Sequence, residues 1–191
     1  MWLNRWGEDR EAFRSMFSEQ NRVPYWFART PDATYKGESV LAEIGEVLAD
    51  FKPTKVFVSH PADKNPDHAA LYLFLRTALW DLENKVDPAV YMYLTHYGEW
   101  PRPRGLLFDA PHEPPAQFDE AGRWVVLPLE AEEVSTKLEA LKRHKTQYQA
   151  AAPYLESFMR ANELFDTPQD TVLSAVSPEA FILPSGSGAV G

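Results

Sequence analysis

The chain has 191 residues, 45% of them hydrophobic and 13% aromatic, which is typical of a globular domain rather than a disordered chain. Its net charge of −9 argues against a general nucleic-acid binder and against binding to an anionic membrane, and the lack of cysteine excludes disulfide scaffolds, thiolate zinc sites and cysteine nucleophiles. No apolar run approaches the roughly 18 residues of a membrane span, and residues 1–6 lack the apolar segment of a signal peptide, so we expect a cytoplasmic protein.

The first half of the chain predicts alternating helices and strands. Apolar residues recur every three or four positions from Val40 to Phe51, as on one face of a helix, and a β-branched run at 54–59 predicts a buried strand. In chain order we expect a short helix over 8–20, an ordered loop or short strand over 21–36, a helix over 38–51, a strand over 54–59, a polar loop over 60–68, a mostly buried helix over 67–80 and a strand over 89–94.

The second half is interrupted by a proline-rich segment. Five prolines fall between residues 99 and 121 and predict an irregular excursion, either a lid or a surface loop. We then expect a strand over 123–127, a helix over 131–149 and a short helix over 153–165. Residues 1–184 are expected to form a single α/β domain, and the glycine- and serine-rich residues 185–191 a flexible tail.

The order helix, strand, polar loop, helix, strand is typical of a layered α/β protein with a parallel sheet. Ligands of such sheets bind beyond the carboxyl ends of the strands. The polar loop that follows the strand at 54–59 occupies that position. We therefore expect the functional site in this loop.

The loop contains side chains that suit a divalent metal. His60 and His68 lie in it together with Asp63, Asn65 and Asp67, and oxygen and imidazole ligands are those that such metals require. His68 also stands at the start of a helix, where packing would hold it rigidly. The alternative is that Asp67 caps this helix and His68 is a partly exposed residue of its first turn.

The sequence Asp63-x-Asn65-Pro66-Asp67-His68 resembles the second metal motif, Asp-x-His-Pro-Asp-His, of the LmbE-like (PIG-L-type) N-acetyl-sugar deacetylases. The flanking strands and the later helix ending at residues 141–149 match the layout of that family, so the resemblance covers roughly residues 37–150. It implies a Rossmann-like α/β fold and a zinc-dependent hydrolase that removes an acetyl group from an N-acetylglucosamine-type sugar or glycoconjugate. Zn²⁺ is the implied cofactor, and other divalent metals use the same ligands.

The resemblance also assigns roles to particular residues. It makes His68 a zinc ligand, while a second His, an Asp and the general base would come from an N-terminal His-Pro-Asp-Asp motif. Asn65 stands where the family has an assisting His; an amide can donate a hydrogen bond to an oxyanion but supplies no proton. The full set of candidates is Asn65 and Asp67 as catalytic residues, His68 as metal ligand, Asp63, Asp67 and His60 as residues that orient the imidazole, and His96 and Arg102 as substrate-binding residues.

Four residues outside the loop have plainer interpretations as well as functional ones. His96 follows a predicted strand and could reach the same pocket, or it could be a structural or solvent-facing histidine. Arg102 and Arg104 lie between prolines and could bind an anionic substrate group or belong to a surface loop. His144 lies beside three basic residues, which is typical of a solvated helix face.

No His-Pro-Asp-Asp motif precedes residue 59. We therefore expect an incomplete domain, the C-terminal part of a longer deacetylase that is inactive by itself; Trp2, Leu3 and Trp6 at the start and the presence of only three clear strands favour this interpretation. One alternative is a non-catalytic binding or assembly module that kept the fold and lost the metal site. Another is a self-contained hydrolase with His60, Asp63 and His68 as three ligands from one loop. The oligomeric state is left open.

Overall fold

The computed structural model describes residues 11–83, 85–118 and 123–168, which form a mixed α/β structure. Two short 3₁₀ turns, Ala116–Phe118 and Glu156–Phe158, accompany the main elements. The helices and strands are α1 (Gly37–Phe51), β1 (Lys55–Ser59), α2 (Pro66–Asp81), β2 (Ala89–Tyr93), β3 (Trp124–Pro128), α3 (Ala131–Arg143), α4 (Lys145–Leu155) and β4 (Asn162–Asp166).

The four strands form one mixed sheet in the order β1-β2-β4-β3. β1 and β2 are parallel, with Lys55 opposite Ala89 and Ser59 opposite Tyr93, whereas β4 is antiparallel to both β2 and β3. The predicted parallel sheet is therefore confirmed for β1 and β2 and wrong for the rest. The chain reaches β4 from the end of α4 and passes between β2 and β3 in the opposite direction.

The hydrophobic core lies between the β1–β2 pair and helices α1 and α2. Its buried members are Leu48, Val58, Leu75, Ala78, Val90 and Met92. The prediction that α2 is mostly buried is wrong, because only one face of the helix packs against α1 and the sheet. Leu73 and Trp80 on its other face are 52% and 78% exposed.

Three further predictions fail for local reasons. Residues 11–20 form a turn instead of a helix, since the amide of Phe13 donates to the carbonyl of Tyr35, far along the chain, at 3.0 Å. The helix predicted over 131–149 is two helices, α3 and α4, that meet at His144 with a non-helical backbone (φ −81°, ψ 64°). The helix predicted over 153–165 is wrong from residue 159 onward, where the chain enters β4.

The remaining element predictions are confirmed: the helix at 38–51, the strands at 54–59, 89–94 and 123–127, and the irregular segment within 99–118. The predicted tail at 185–191 and the tryptophans of residues 1–10 lie outside the described residues. Among the helices that the structure describes, none combines the length and apolar character that crossing a bilayer requires.

Candidate metal centre

The loops that follow β1 and β2 lie side by side. The two strands are parallel neighbours, so their carboxyl ends meet at the same edge of the sheet. Backbone hydrogen bonds join the two loops: the amide of His60 donates to the carbonyl of Tyr93 at 2.9 Å, and the amide of Lys64 donates to the carbonyl of His96 at 2.8 Å. This pairing brings His96 to the loop that the sequence analysis singled out.

The carboxylate of Asp63 holds the two loops together. It is fully buried, with Oδ2 accepting from the amides of Thr95 (3.1 Å) and His96 (2.9 Å) and Oδ1 accepting from the amide of Asn65 (2.9 Å). Burial raises the pKa of Asp63, but these backbone hydrogen bonds and the contact with His68 outweigh it, so the pKa lies below its ordinary value. Asp63 is therefore an anion held in place at the centre of the site.

Asp63, His68 and His96 form a group that could hold a metal ion, because one ligand atom from each lies within 4.8 Å of the other two. The Nδ1 atom of His68 is 3.2 Å from Asp63 Oδ2, and the Nδ1 atom of His96 is 3.1 Å from Asp63 Oδ1. His68 Nδ1 is buried; its contact with Asp63 Oδ2 is at ion-pair distance but does not meet hydrogen-bond geometry, and it has no other partner within the described ranges. His96 Nδ1, in contrast, forms a hydrogen bond with Asp63 Oδ1. The side chain of His96 is 43% exposed, so the group is open to solvent on that side.

The start of α2 fixes the position of His68. Asn65 caps the helix, since its Oδ1 accepts from the amide of Asp67 at 3.0 Å, and Pro66 begins the first turn. The hydroxyl of Ser59, at the end of β1, donates to the carbonyl of His68 at 2.8 Å. The alternative in which Asp67 caps the helix is wrong, because Asn65 occupies the capping position.

The residues of this group fit a divalent metal such as zinc. Zinc binds imidazole nitrogens and carboxylate oxygens at about 2.0–2.2 Å, so two ligands of one ion lie roughly 3–3.5 Å apart. The separation between Asp63 and each imidazole lies within that range, to Oδ2 for His68 and to Oδ1 for His96, so an ion held by both imidazoles would face both oxygens of this carboxylate. The buried Nδ1 of His68, which has no hydrogen bond of its own among the described residues, is the atom that a metal would satisfy.

His60 belongs to a different group of side chains. Its Nδ1 accepts from the amide of Ala62 at 2.9 Å, so we assign the proton to Nε2, which donates to Asp166 Oδ2 at 2.8 Å. Burial lowers the pKa of His60 more strongly than Asp166 raises it, and the positive charge of Arg123 lowers it further. Both ring nitrogens of His60 are thus engaged in the fold and do not face the group formed by Asp63, His68 and His96.

The other predicted site residues lie in varied settings. Asp67 is exposed at the first turn of α2, and Arg102 is exposed and forms an ion pair with Glu99. His144 is exposed at the junction of α3 and α4. Of the two substrate-binding candidates, His96 lies in the group with Asp63 and His68, and Arg102 lies on the surface.

Sequence reasoning missed two residues of interest. The ring of Tyr154 stacks against that of His96, with centroids 6.2 Å apart, and its hydroxyl donates to the carbonyl of Thr95. His112 is buried against Trp100, with ring centroids 4.6 Å apart, and within the described part of the chain neither of its ring nitrogens has a hydrogen-bond partner. Both depend on contacts between distant segments, for which the sequence carries no local signal.

Comparison of the chain with protein-family models, with curated proteins and with solved structures finds no match. The geometry of the site is therefore the basis for a functional assignment.

Proposed function

We propose that Asp63, His68 and His96 form a divalent-metal site that serves the hydrolysis of an N-acyl group, as in the LmbE-like (PIG-L-type) deacetylases that the motif at 63–68 resembles. The observation that carries this proposal is the buried Nδ1 of His68, which faces a carboxylate and a second imidazole and, in the described residues, makes no hydrogen bond. Zn²⁺ is the proposed metal, and an N-acetylated amino sugar or glycoconjugate the proposed substrate. The same proposal includes a Rossmann-like fold for this α/β chain.

The chain's own residues would prepare such a site in three ways. Asp63 supplies a fixed negative charge, because its hydrogen bonds to the two loops keep it ionised and in place. The cap at Asn65 and the hydroxyl of Ser59 hold the first turn of α2, and with it His68. When bound, zinc lowers the pKa of a bound water molecule and polarises an acyl carbonyl.

A second candidate function is a binding module without catalysis. The observation that favours it is that the two carboxylate oxygens of Asp63 already accept three backbone hydrogen bonds. A carboxylate with about four acceptor positions then retains little capacity for further partners. In this alternative the three side chains order the two loops, and any bound metal stabilises the fold.

Calorimetric titration of zinc into the full chain tests the metal site. We expect about one zinc per chain, and we expect His68→Ala and His96→Ala each to weaken zinc binding by more than about 100-fold, since each removes a ligand. His144→Ala is the matched control, because His144 is exposed and lies outside the group. Equal affinity in all four proteins would contradict the site.

Release of acetate from N-acetylglucosamine tests the reaction. Because Asp63, His68 and His96 would supply three ligands without an N-terminal motif, this proposal departs from the expectation that the chain is inactive by itself. We expect the zinc-loaded chain to release acetate and His68→Ala to abolish this release, while His144→Ala retains it. Zinc binding at the site without any release of acetate would contradict the deacetylase and would favour the binding module.

A further inference from the structure

Arg104 has an unsatisfied donor among the described residues and stacks on Tyr154, a neighbour of His96. Its guanidinium carbon lies 4.7 Å from the centroid of the Tyr154 ring. Its Nη1 is buried and, among the residues that the structure describes, has no hydrogen-bond partner. Arg102, two positions earlier, differs in both respects, because it is exposed and paired with Glu99.

The backbone on both sides of Arg104 is fixed by a buried arginine. The guanidinium of Arg160 donates to the carbonyl of Pro103 at 2.6 Å and to the carbonyl of Gly105 at 3.1 Å. The amide of Gly105 in turn donates to the hydroxyl of Ser157 at 3.1 Å, and both Arg160 and Ser157 are buried. Gly105 has a φ of 90°, which residues with a Cβ rarely adopt. This geometry holds Arg104 against Tyr154.

Tyr154 connects Arg104 to the proposed metal site. Its ring also stacks against His96, with centroids 6.2 Å apart. The hydroxyl of Tyr154 donates to the carbonyl of Thr95, which fixes the ring beside the loop that follows β2. The Tyr154 ring is therefore in contact with both the guanidinium of Arg104 and the imidazole of His96.

A buried N–H without an acceptor costs free energy, and a charged donor costs more than a neutral one. The nearby carboxylates are already engaged, Asp63 with the two loops and Glu99 with Arg102. A guanidinium has a planar set of donors that matches a carboxylate or a phosphate. A ligand with such a group would supply the acceptor that Arg104 Nη1 lacks among the described residues.

We propose that Arg104, positioned by Arg160 and stacked on Tyr154, binds a carboxylate or phosphate group of the molecule that the metal site takes. The inference rests on the proposed function and sharpens it, because the substrate would then be an N-acyl compound that also carries an anionic group. Neutral N-acyl sugars would bind more weakly than anionic ones.

NMR titration of the zinc-free full chain with inorganic phosphate and, separately, with acetate tests this proposal. A hydrogen bond to a charged group contributes about 1.5–3 kcal/mol, so we expect Arg104→Gln to weaken binding of the preferred anion by at least about 10-fold. Arg102→Gln, the matched control, should change the affinity by less than about 2-fold, because exposed ion pairs contribute little. Tighter binding of phosphate would identify a phosphorylated ligand, and tighter binding of acetate a carboxylated one.

Equal affinities of Arg104→Gln, Arg102→Gln and the unmodified chain for both anions would overturn the proposal. Arg104→Lys is the second variant in case Arg104→Gln does not fold: it keeps the charge but loses the planar pair of donors, and we expect an intermediate affinity. The test is independent of the metal. Zinc binding without an effect of Arg104 would reject this inference alone, whereas Arg104-dependent anion binding without zinc binding would reject the metal site and leave the anion site standing.

Discussion

Two histidine–aspartate groups begin in the same loop after β1 and differ in whether their nitrogens are satisfied. In the first, His60 uses both ring nitrogens, one with Ala62 and one with Asp166. In the second, His68 Nδ1 is buried beside Asp63 and has no hydrogen bond within the described ranges. The same residue types therefore give a closed group that stabilises the sheet and a second group in which, among the described residues, His68 Nδ1 is left without a hydrogen bond.

The closed group joins opposite parts of the sheet. Asp166 is fully buried at the end of β4, where it accepts from His60 at the end of β1 and from Arg123 next to β3. The ring of His60 stacks parallel to that of Trp124, with an interplanar angle of 6°. Both ring nitrogens of His60 and both carboxylate oxygens of Asp166 have partners, which leaves none of these atoms available for a ligand.

Removing Asp166 should have the largest effect on stability. Asp166→Ala leaves His60 and Arg123 without this carboxylate in a buried site, and losing one partner of a buried ion pair costs about 3–5 kcal/mol. Since Arg123 is partly exposed, we expect a loss of about 3 kcal/mol in the free energy of unfolding, measured by urea denaturation. Asp109→Ala, at an exposed position, should change it by less than about 0.5 kcal/mol. A similar loss of stability in Asp166→Ala and Asp109→Ala would contradict the role of Asp166 as the buried partner of His60 and Arg123.

His112 extends the comparison to a buried histidine that lies in neither group. Burial, followed by the charges of Lys137 and Arg160, lowers its pKa from 6.5 to about 4. Between these two values the unfolded chain takes up a proton that the folded chain does not, so stability falls as the pH falls. The expected loss between pH 7 and pH 4 is about 3 kcal/mol.

The variant His112→Phe tests this expectation, because phenylalanine can stack on Trp100 but does not titrate. Urea denaturation gives the free energy of unfolding of both proteins at a series of pH values. As the pH falls from 6.5 towards 4, the unmodified chain should lose stability relative to the variant. His60, whose pKa is also lowered, contributes equally to both proteins and cancels in the difference. Parallel pH profiles would contradict the assignment.

Asn65 should have a smaller effect, which comes from the helix cap. Asn65→Ala removes the acceptor for the amide of Asp67 and should cost about 1 kcal/mol in the free energy of unfolding, whereas Asn65→Asp keeps an equivalent oxygen and should cost much less. An unchanged stability in Asn65→Ala would show that the capping contact contributes nothing.

The parts of the molecule that sequence predicts well depend on neighbouring residues. The apolar stripe of α1 and the β-branched run of β1 are local patterns, and both elements form where they were expected. The polar loop after β1 also follows from this order of elements, since loops at the carboxyl ends of parallel strands carry ligands. This reasoning singles out His68 as a candidate ligand and Asp63 as a residue that orients it, whereas the place of Asp63 among the candidate ligands follows from the structure.

The parts that sequence does not predict depend on β4. Residues 162–166, Asn-Glu-Leu-Phe-Asp, contain no β-branched residue, so their intrinsic preference does not indicate a strand. The structure forms one there because β4 fills the position between β2 and β3. The partner of His60, Asp166, lies at the end of this strand, which is why sequence alone could not separate the closed group of His60 from the group of His68.

The most direct test of this distinction is NMR of the imidazole ¹⁵N nuclei during addition of zinc to the full chain. The account predicts that the ring nitrogens of His68 and His96 shift and saturate together at about one equivalent of zinc, while those of His60 keep the pattern of a neutral ring protonated at Nε2. A zinc-dependent shift at His60, or none at His68 and His96, would contradict it.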